Sequence, residues 1–189
     1  IPIHLVELGI LKGGSLQIWK KLLRNSIISG VDLKKSIKDA SINCYKGSQT
    51  DEKLFEVMRN NNGLIDILID DASHIARFSI ISLLNFIKNC NDYHGYICED
   101  LNTHFDMDRE GSNILDTLRF TLTIKNLALQ CTDKNFSIIL SNQIFGYLGK
   151  NNFELINLIN SNKKIDTNYL KNIDFTNYFK LFNKLIEEN

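Results

Sequence analysis

Two short acidic clusters carry the chemistry that this sequence supports most directly. Asp70-Asp71-Ala72-Ser73-His74 follows the apolar run 64–69, and Glu99-Asp100-Leu101 follows the apolar run 95–98. Each run is typical of a buried strand, and the segment 75–89 between them has helical periodicity. A strand, a helix and a strand in this order predict a parallel unit. Both clusters then come at the carboxyl ends of neighbouring strands, where open α/β sheets bind ligands.

Asp71, Glu99 and Asp100 would bring three carboxylates together at that edge. Their charges repel one another and raise one another's pKa, and a bound divalent cation would relieve this repulsion. Ligation by oxygen alone suits Mg²⁺, Mn²⁺ or Ca²⁺ better than Zn²⁺. His74 follows Asp71 by three residues and could accept a proton at neutral pH. The alternative interpretation is a set of solvated acids at strand ends, with His74 at the start of the next helix.

Strands and helices alternate along the chain. The patterns predict strands at 3–8, 27–32, 41–45, 64–69, 95–98, 135–140 and 144–148, and helices from about 15, at 52–59, at 75–89 and at 112–130. This order predicts an α/β fold with a doubly wound, mostly parallel, seven-stranded Rossmann-like sheet that has an antiparallel edge strand. We expect one domain over 1–150, with C-terminal helices over 151–189 as an extension of it.

Composition excludes several classes of function. The chain has 189 residues, no net charge and 43% hydrophobic residues, so nothing suggests a general nucleic-acid surface or an anionic-membrane surface. No apolar run approaches the roughly 20 residues of a membrane span. The four cysteines, Cys44, Cys90, Cys98 and Cys131, lack metal-type spacing, which favours a reducing, cytoplasmic location. Because the chain begins at Ile1-Pro2 without a methionine, we expect further residues upstream, and with them a cap over the site.

The turn after the first strand favours an adenosine cofactor that has no pyrophosphate. Its glycines, in the pattern Glu7-x-Gly9-x-x-x-Gly13-Gly14, do not match GxGxxG, so a nicotinamide dehydrogenase is the least favoured interpretation. Glu7 suits a cationic ligand, and Asp32, at the end of the second strand, is suited to accept hydrogen bonds from a ribose diol. Both features fit S-adenosylmethionine, which carries an ammonium and a sulfonium but no phosphate.

Taken together, these stretches resemble the class I S-adenosylmethionine-dependent methyltransferases. Within that class they resemble the metal-dependent sugar O-methyltransferases of macrolide and aminocoumarin type, and the related cephalosporin hydroxylase family. The matching residues are 6–9, 13–16, 30–32, 47–51, 69–74 and 99–101, in that order. Two departures are Ala72, where the family usually has Gly, and the segment 102–105, which lies toward the acceptor.

The resemblance implies roles for particular residues. Asp71, Glu99 and Asp100 would be the ligands of Mg²⁺ (or of Mn²⁺ or Ca²⁺), and His74 would be the catalytic base. The cofactor pocket would be lined by Glu7, Gly9, Gly13, Ser15, Asp32, Gln49, Asp51 and Asp70, with Asp70 facing the methionine end of the cofactor. We interpret Trp19 as a core residue, His4 and His94 as structural, and His104 as a solvated loop residue.

The implied function is an S-adenosylmethionine-dependent, metal-assisted O-methyltransferase that acts on a hydroxyl of a sugar or of a sugar-containing small molecule. A catechol-like diol as the acceptor is an alternative, because chelation of two neighbouring oxygens by a metal serves both substrates. A partner subunit that binds the cofactor but has lost its own chemistry is another. The expected partner is a small molecule and not a nucleic acid, and a homo-oligomer stays open.

Overall fold

The structure is a computed structural model, and it describes residues 2–34, 37–106, 110–113, 115–117, 119–121, 136–140 and 145–149. The predicted C-terminal helices over 151–189, most of the predicted helix at 112–130, and Cys131 lie outside these residues. Within the described segments, no helix is both long and apolar enough to cross a membrane.

The strands form one sheet in the order β3-β2-β1-β4-β5-β7-β6. Their bounds are β1 His4–Leu8, β2 Ile27–Asp32, β3 Asn43–Lys46, β4 Ile65–Asp70, β5 Cys90–Cys98, β6 Phe136–Leu140 and β7 Phe145–Gly149. β1 to β5 pair in parallel, whereas β7 is antiparallel to both β5 and β6. The prediction of an α/β fold with a mostly parallel sheet is confirmed.

Three α-helices connect the parallel strands: α1 Gly14–Leu22, α2 Glu52–Asn62 and α3 Ala76–Asn89. Two of these helices begin at a residue suited to a helix start. Gly13 precedes α1 with φ 75°, and the Asp51 side chain caps α2 by accepting a hydrogen bond from the Lys53 amide at 3.0 Å. After β5 the sequence predicts a loop around His104, whereas the structure has a 3₁₀ helix over Leu101–Phe105.

Side chains alternate between the two faces of the sheet, and this alternation separates the helices into two layers. Leu5 of β1 packs with Leu16 of α1 on one face. Val6 packs on the other face with Phe55 of α2 and Phe86 of α3. Each such fully buried side chain contributes about 1.5–3 kcal/mol to folding. The helices therefore cover both faces, as a doubly wound sheet requires.

The chain reverses direction across the sheet between β1 and β4, which creates a crevice at their carboxyl ends. Backbone hydrogen bonds fix the loops there, since the Asp71 amide donates to the Leu8 carbonyl and the Glu99 amide donates to the Asp70 carbonyl, both at 3.0 Å. Gly9 has φ 83°, and a Cβ at this position would lie 2.2 Å from the Asp71 carbonyl oxygen. Only glycine therefore lets the β1 turn approach the loop after β4.

Candidate metal and cofactor site

Asp71, His74 and Asp100 converge at this crevice. The Nε2 atom of His74 lies 3.8 Å from Asp71 Oδ1 and 3.8 Å from Asp100 Oδ2. One ligand atom from each of the three residues lies within 4.8 Å of the others. The side chains of Asp71 and Asp100 are 41% and 55% exposed, so a ligand can reach both carboxylates from solvent. The sequence predicted this convergence for Asp71 and Asp100.

The backbone at this cluster is strained. His74 has φ 54° and Asp100 has φ 52°, in the left-handed region that non-glycine residues seldom adopt. Such strain costs about 1–3 kcal/mol per residue and is concentrated at binding and catalytic sites. A sequence selected for stability alone would have glycine or asparagine at these two positions.

Glu99 lies close to the cluster without joining it. Among the residues that the structure describes, the potential ligand atoms that lie together belong to Asp71, His74 and Asp100. Burial raises the pKa of the Glu99 carboxyl, and the charges of Asp71, Glu7 and Asp100 raise it further. Burial likewise raises the pKa of Asp71, with a contribution from Asp100, whereas His74 lowers it. The crevice thus concentrates negative charge that the surrounding protein does not fully neutralise.

Glu7 lies near the end of β1, close to these charges, and two side chains of α1 donate hydrogen bonds to it. Ser15 Oγ donates to Glu7 Oε1, and Trp19 Nε1 donates to Glu7 Oε2 at 2.9 Å. Burial raises the pKa of Glu7, which is 3% exposed, while these two hydrogen bonds lower it and the charge of Asp71 raises it. Trp19 was predicted as a core residue, and its contact with Glu7 adds a positioning role.

A cavity lies beside Glu7 and opens between the ends of β1 and β2. It is lined by Leu8, Gly9, Val31, Asp32, Leu33, Gly47, Ser48, Gln49, Ala72, Ser73 and Phe78. Three of the predicted cofactor residues, Gly9, Asp32 and Gln49, are therefore brought to one cavity. Its apolar walls and its one carboxylate, at Asp32, suit a planar base with an attached polyol.

Other predicted cofactor residues have local structural roles. Gly13 allows α1 to begin, and a Cβ there would lie 2.0 Å from the Ile37 side chain. Asp51 is exposed and caps α2. Neither residue lines the cavity.

Asp70 is placed differently from the expectation that it faces the cofactor. Its side chain is only 2% exposed and accepts hydrogen bonds from Ser82 Oγ, from Tyr96 Oη at 2.9 Å and from Gln49 Nε2 at 3.1 Å. Burial raises the pKa of Asp70, against the opposing effect of Ser82 and Tyr96. Asp70 therefore ties α3 and β5 to the end of β4, because an unsatisfied buried carboxylate would be costly.

The remaining histidines are buried. The ring of His4 lies between Ser29 Oγ at 2.9 Å and the Gly63 carbonyl at 3.2 Å. His94 Nδ1 contacts the Asn91 carbonyl at 2.9 Å, in line with the structural assignment. His104 is 2% exposed and packs edge-on against Phe120, so the expectation of a solvated loop residue is wrong. The 3₁₀ helix turns His104 inward, and a loop pattern alone does not reveal this.

Curated proteins with related sequences are sugar O-methyltransferases, although no family model matches the chain. The 8-demethyl-8-alpha-L-rhamnosyl tetracenomycin-C 2'-O-methyltransferase of Streptomyces olivaceus is 30% identical over 95 residues, which cover 49% of this chain and 25% of that protein. The mycinamicin VI 2''-O-methyltransferase of Micromonospora griseorubida is 30% identical over 95 residues, covering 49% and 24%. The chain therefore spans about a quarter of the length of these curated relatives.

Solved structures support the same fold. MycE methyltransferase from the mycinamycin biosynthetic pathway, in complex with Mg and SAH, superposes with a TM-score of 0.63 at 21% identity. The alignment covers 80% of this chain and 46% of MycE. An O-methyltransferase from Bacillus cereus in complex with SAH gives a TM-score of 0.53 at 11% identity, covering 78% and 74%. These superpositions establish a methyltransferase-type α/β fold.

The resemblance to class I methyltransferases and to sugar O-methyltransferases of macrolide type is confirmed. About half of the chain is related in sequence to sugar O-methyltransferases, and the described residues have the class I methyltransferase fold.

Proposed function

We propose that this chain is the cofactor-binding part of an S-adenosylmethionine-dependent, divalent-metal-assisted O-methyltransferase that acts on a sugar hydroxyl. The observation that carries the proposal is the convergence of Asp71, His74 and Asp100 beside the cavity, in a chain whose curated relatives are sugar O-methyltransferases. The proposal includes residues 1–150 as the methyltransferase domain and 151–189 as an extension of it. The antiparallel strand, which the sequence predicted at the edge of the sheet, is β7, and it lies between β5 and the edge strand β6.

The donor set fits a hard cation. Asp71 and Asp100 each offer a carboxylate oxygen, the type of ligand that Mg²⁺ prefers, and their ligand atoms lie within 4.8 Å of each other. In the proposal these two carboxylates would hold the ion. Glu99, which lies close enough for the charges of Asp71 and Asp100 to raise its pKa, would be the third ligand. When bound, such an ion lowers the pKa of an acceptor hydroxyl and orients it.

His74 is the proposed general base. Its Nε2 atom faces the same space as Asp71 and Asp100, and its side chain is 18% exposed, so that an acceptor can reach it. S-adenosylmethionine would supply the methyl group, which would pass from the sulfonium to the acceptor oxygen and leave S-adenosylhomocysteine. His74 Nε2 would accept the proton of the acceptor hydroxyl. General base catalysis of this kind contributes about 10²–10⁴-fold to the rate.

The cofactor would occupy the neighbouring cavity, with its adenosine between the ends of β1 and β2. Asp32 would accept hydrogen bonds from the ribose hydroxyls, and the charge at Glu7 would attract the methionine ammonium. Gly9 would allow the backbone to lie close to the methionine portion, because no side chain intervenes there. Ser15 and Trp19 would keep the Glu7 carboxylate in place.

Two relatives support a sugar hydroxyl as the acceptor. The tetracenomycin enzyme is named for a rhamnosyl substrate, and MycE has a structure with mycinamycin VI bound. Transferred to this chain, the acceptor would approach from the side of Asp100 and of the 3₁₀ helix that follows it.

Methyl transfer from isotopically labelled S-adenosylmethionine tests the proposal. The acceptors are a panel of rhamnosylated glycosides and simple catechols, each assayed with Mg²⁺ and with EDTA. We expect labelled product from a glycoside with Mg²⁺ only. His74→Asn should remove this activity, whereas the control variant Asp39→Asn, at a half-buried position away from the crevice, should keep it. Transfer that persists in EDTA would overturn the metal-assisted mechanism.

A further inference from the structure

Gln49 contacts the loops on both sides of the site. It belongs to the loop between β3 and α2, which lines the cavity through Gly47, Ser48 and Gln49 itself. Its side-chain nitrogen donates to both carboxylate oxygens of Asp70, at 3.1 and 3.3 Å. Its side-chain oxygen accepts a hydrogen bond from the Ser73 amide at 3.0 Å. One amide group thus binds both ends of the segment that carries Asp71.

The segment held in this way is the one that presents the metal site. Asp71 lies between the two anchor residues, Asp70 and Ser73, and His74 directly follows the second anchor. Ser73 Oγ in turn accepts a hydrogen bond from the Ile75 amide at 3.2 Å, which fixes the entry into α3. Because His74 has a strained backbone at φ 54°, the surrounding contacts must hold it in that conformation.

Gln49 is 6% exposed, and both ends of its side-chain amide form hydrogen bonds within the protein. Asp70 has two further donors, Ser82 and Tyr96, and keeps partners if Gln49 is removed. The Gln49 side chain also accepts a hydrogen bond from the Ser73 amide. Replacing Gln49 therefore removes a direct link between the cavity loop and the metal-site segment, while the buried Asp70 carboxylate keeps its donors Ser82 and Tyr96.

We infer that Gln49 is a positioning residue that couples the cofactor loop to the metal site, so that each ligand strengthens binding of the other. This inference rests on the proposed function. Loss of a group that orients metal ligands typically weakens metal binding by 10–100-fold. A coupling between two sites is also reciprocal, and it can be measured from either ligand.

Manganese affinity, measured by electron paramagnetic resonance on the full chain, tests the inference. Gln49→Met keeps the size of the side chain and removes both hydrogen-bonding ends, and we expect Mn²⁺ to bind at least about 10-fold more weakly. Gln49→Asn, which is too short to reach both partners, provides a milder second variant with a loss of several-fold. In the wild type, S-adenosylhomocysteine should tighten Mn²⁺ binding by about 5-fold, and in Gln49→Met it should have no effect.

Two control variants separate positioning from general destabilisation. Ser82→Ala removes a donor to Asp70 on the α3 side, and it should lower the melting temperature while leaving Mn²⁺ affinity within about twofold. Gln17→Met makes the same chemical change at an exposed position of α1 and should alter neither quantity. Folded Gln49 variants that bind Mn²⁺ like the wild type, or an equal loss in Ser82→Ala, would overturn the inference alone. A wild-type chain that binds no Mn²⁺ would overturn the proposed metal site as well.

Discussion

Acidic side chains at the two ends of the parallel strands have different surroundings. Near the amino end of β4, Asp66 accepts hydrogen bonds from the His4 amide at 2.7 Å and from Asn91 Nδ2 at 2.5 Å. In the loops after the carboxyl ends of β4 and β5, Asp71, Glu99 and Asp100 lie near one another, and burial together with repulsion between their charges raises the pKa of Asp71 and of Glu99.

This contrast distinguishes polar groups that hold the fold together from groups held ready for a ligand. A hydrogen-bonded buried polar group contributes modestly to stability, whereas crowded carboxylates reduce it unless a cation binds. Backbone strain follows the same division. His74 and Asp100 adopt left-handed conformations at the carboxyl ends. Substitutions at one end or the other should therefore have separable effects on catalysis and on stability.

Removing Asp71 should have the largest effect. Asp71→Ala deletes a proposed metal ligand, and several kcal/mol of transition-state stabilisation corresponds to a loss of about 10³-fold in turnover. Affinity for the cofactor measured in EDTA should stay within about twofold of the wild-type value, because Asp71 does not line the cavity. Turnover measured beside a cofactor titration checks both parts, and a fully active variant would remove the metal site from the account.

Replacing His74 should have the second-largest effect on turnover. His74→Asn removes the proposed base, and we expect kcat to fall by about 10²–10⁴-fold while Mn²⁺ binding weakens less than tenfold. Stopped assays and a metal titration on the same preparation measure the two quantities. If metal binding and turnover are lost together, His74 is a ligand and not the base.

At the opposite end, His4 should affect stability and not catalysis. Burial lowers the pKa of His4 below its ordinary value of 6.5. Stability from the neutral ring is therefore present above about pH 6.5 and is lost as pH falls toward the lowered value, because the unfolded chain binds the proton first. His4→Gln should cost about 1–3 kcal/mol, and it should flatten this acidic part of the curve. Urea unfolding across pH 5–8 measures it, and an unchanged curve would contradict the assignment.

Neutralising Glu99 should have the smallest effect and the opposite sign. A carboxyl whose pKa is raised on folding loses stability as pH rises through that window, so Glu99→Gln should stabilise the metal-free protein at pH 7. The melting temperature should rise by only about 1–2 °C, because the site is partly exposed and water screens its charges. Thermal melts with and without Mg²⁺ test this, and a lower melting temperature in the variant would show that Glu99 forms a stabilising contact.

Sequence patterns predicted most of the parallel sheet and the positions of both acidic clusters. Apolar runs with punctuating turns identified β1, β2 and β4 to within one residue, because buried parallel strands have uninterrupted apolar patterns. The order of strand, helix and strand then brought Asp71 and Asp100 to one edge. These are consequences of local pattern and topology.

The side-chain contacts could not be predicted from local pattern and topology. Whether Asp70 faces a ligand or the core depends on Ser82 and Tyr96, which lie 12 and 26 residues away in the chain. The contact between Trp19 and Glu7 had a detectable signal in the sequence, since an indole N–H packed against the protein usually finds an acceptor, and Glu7 lies near the end of the strand that precedes α1. His104 had no comparable signal, because its burial depends on the 3₁₀ helix.

Calorimetric titration with S-adenosylmethionine and with NAD⁺, each in Mg²⁺ and in EDTA, tests the central claim most directly. The account predicts binding of S-adenosylmethionine in the micromolar range, and no binding of NAD⁺ under either condition. Binding of NAD⁺ without S-adenosylmethionine would contradict it, since the cavity beside Gly9 and Asp32 would then serve a different cofactor.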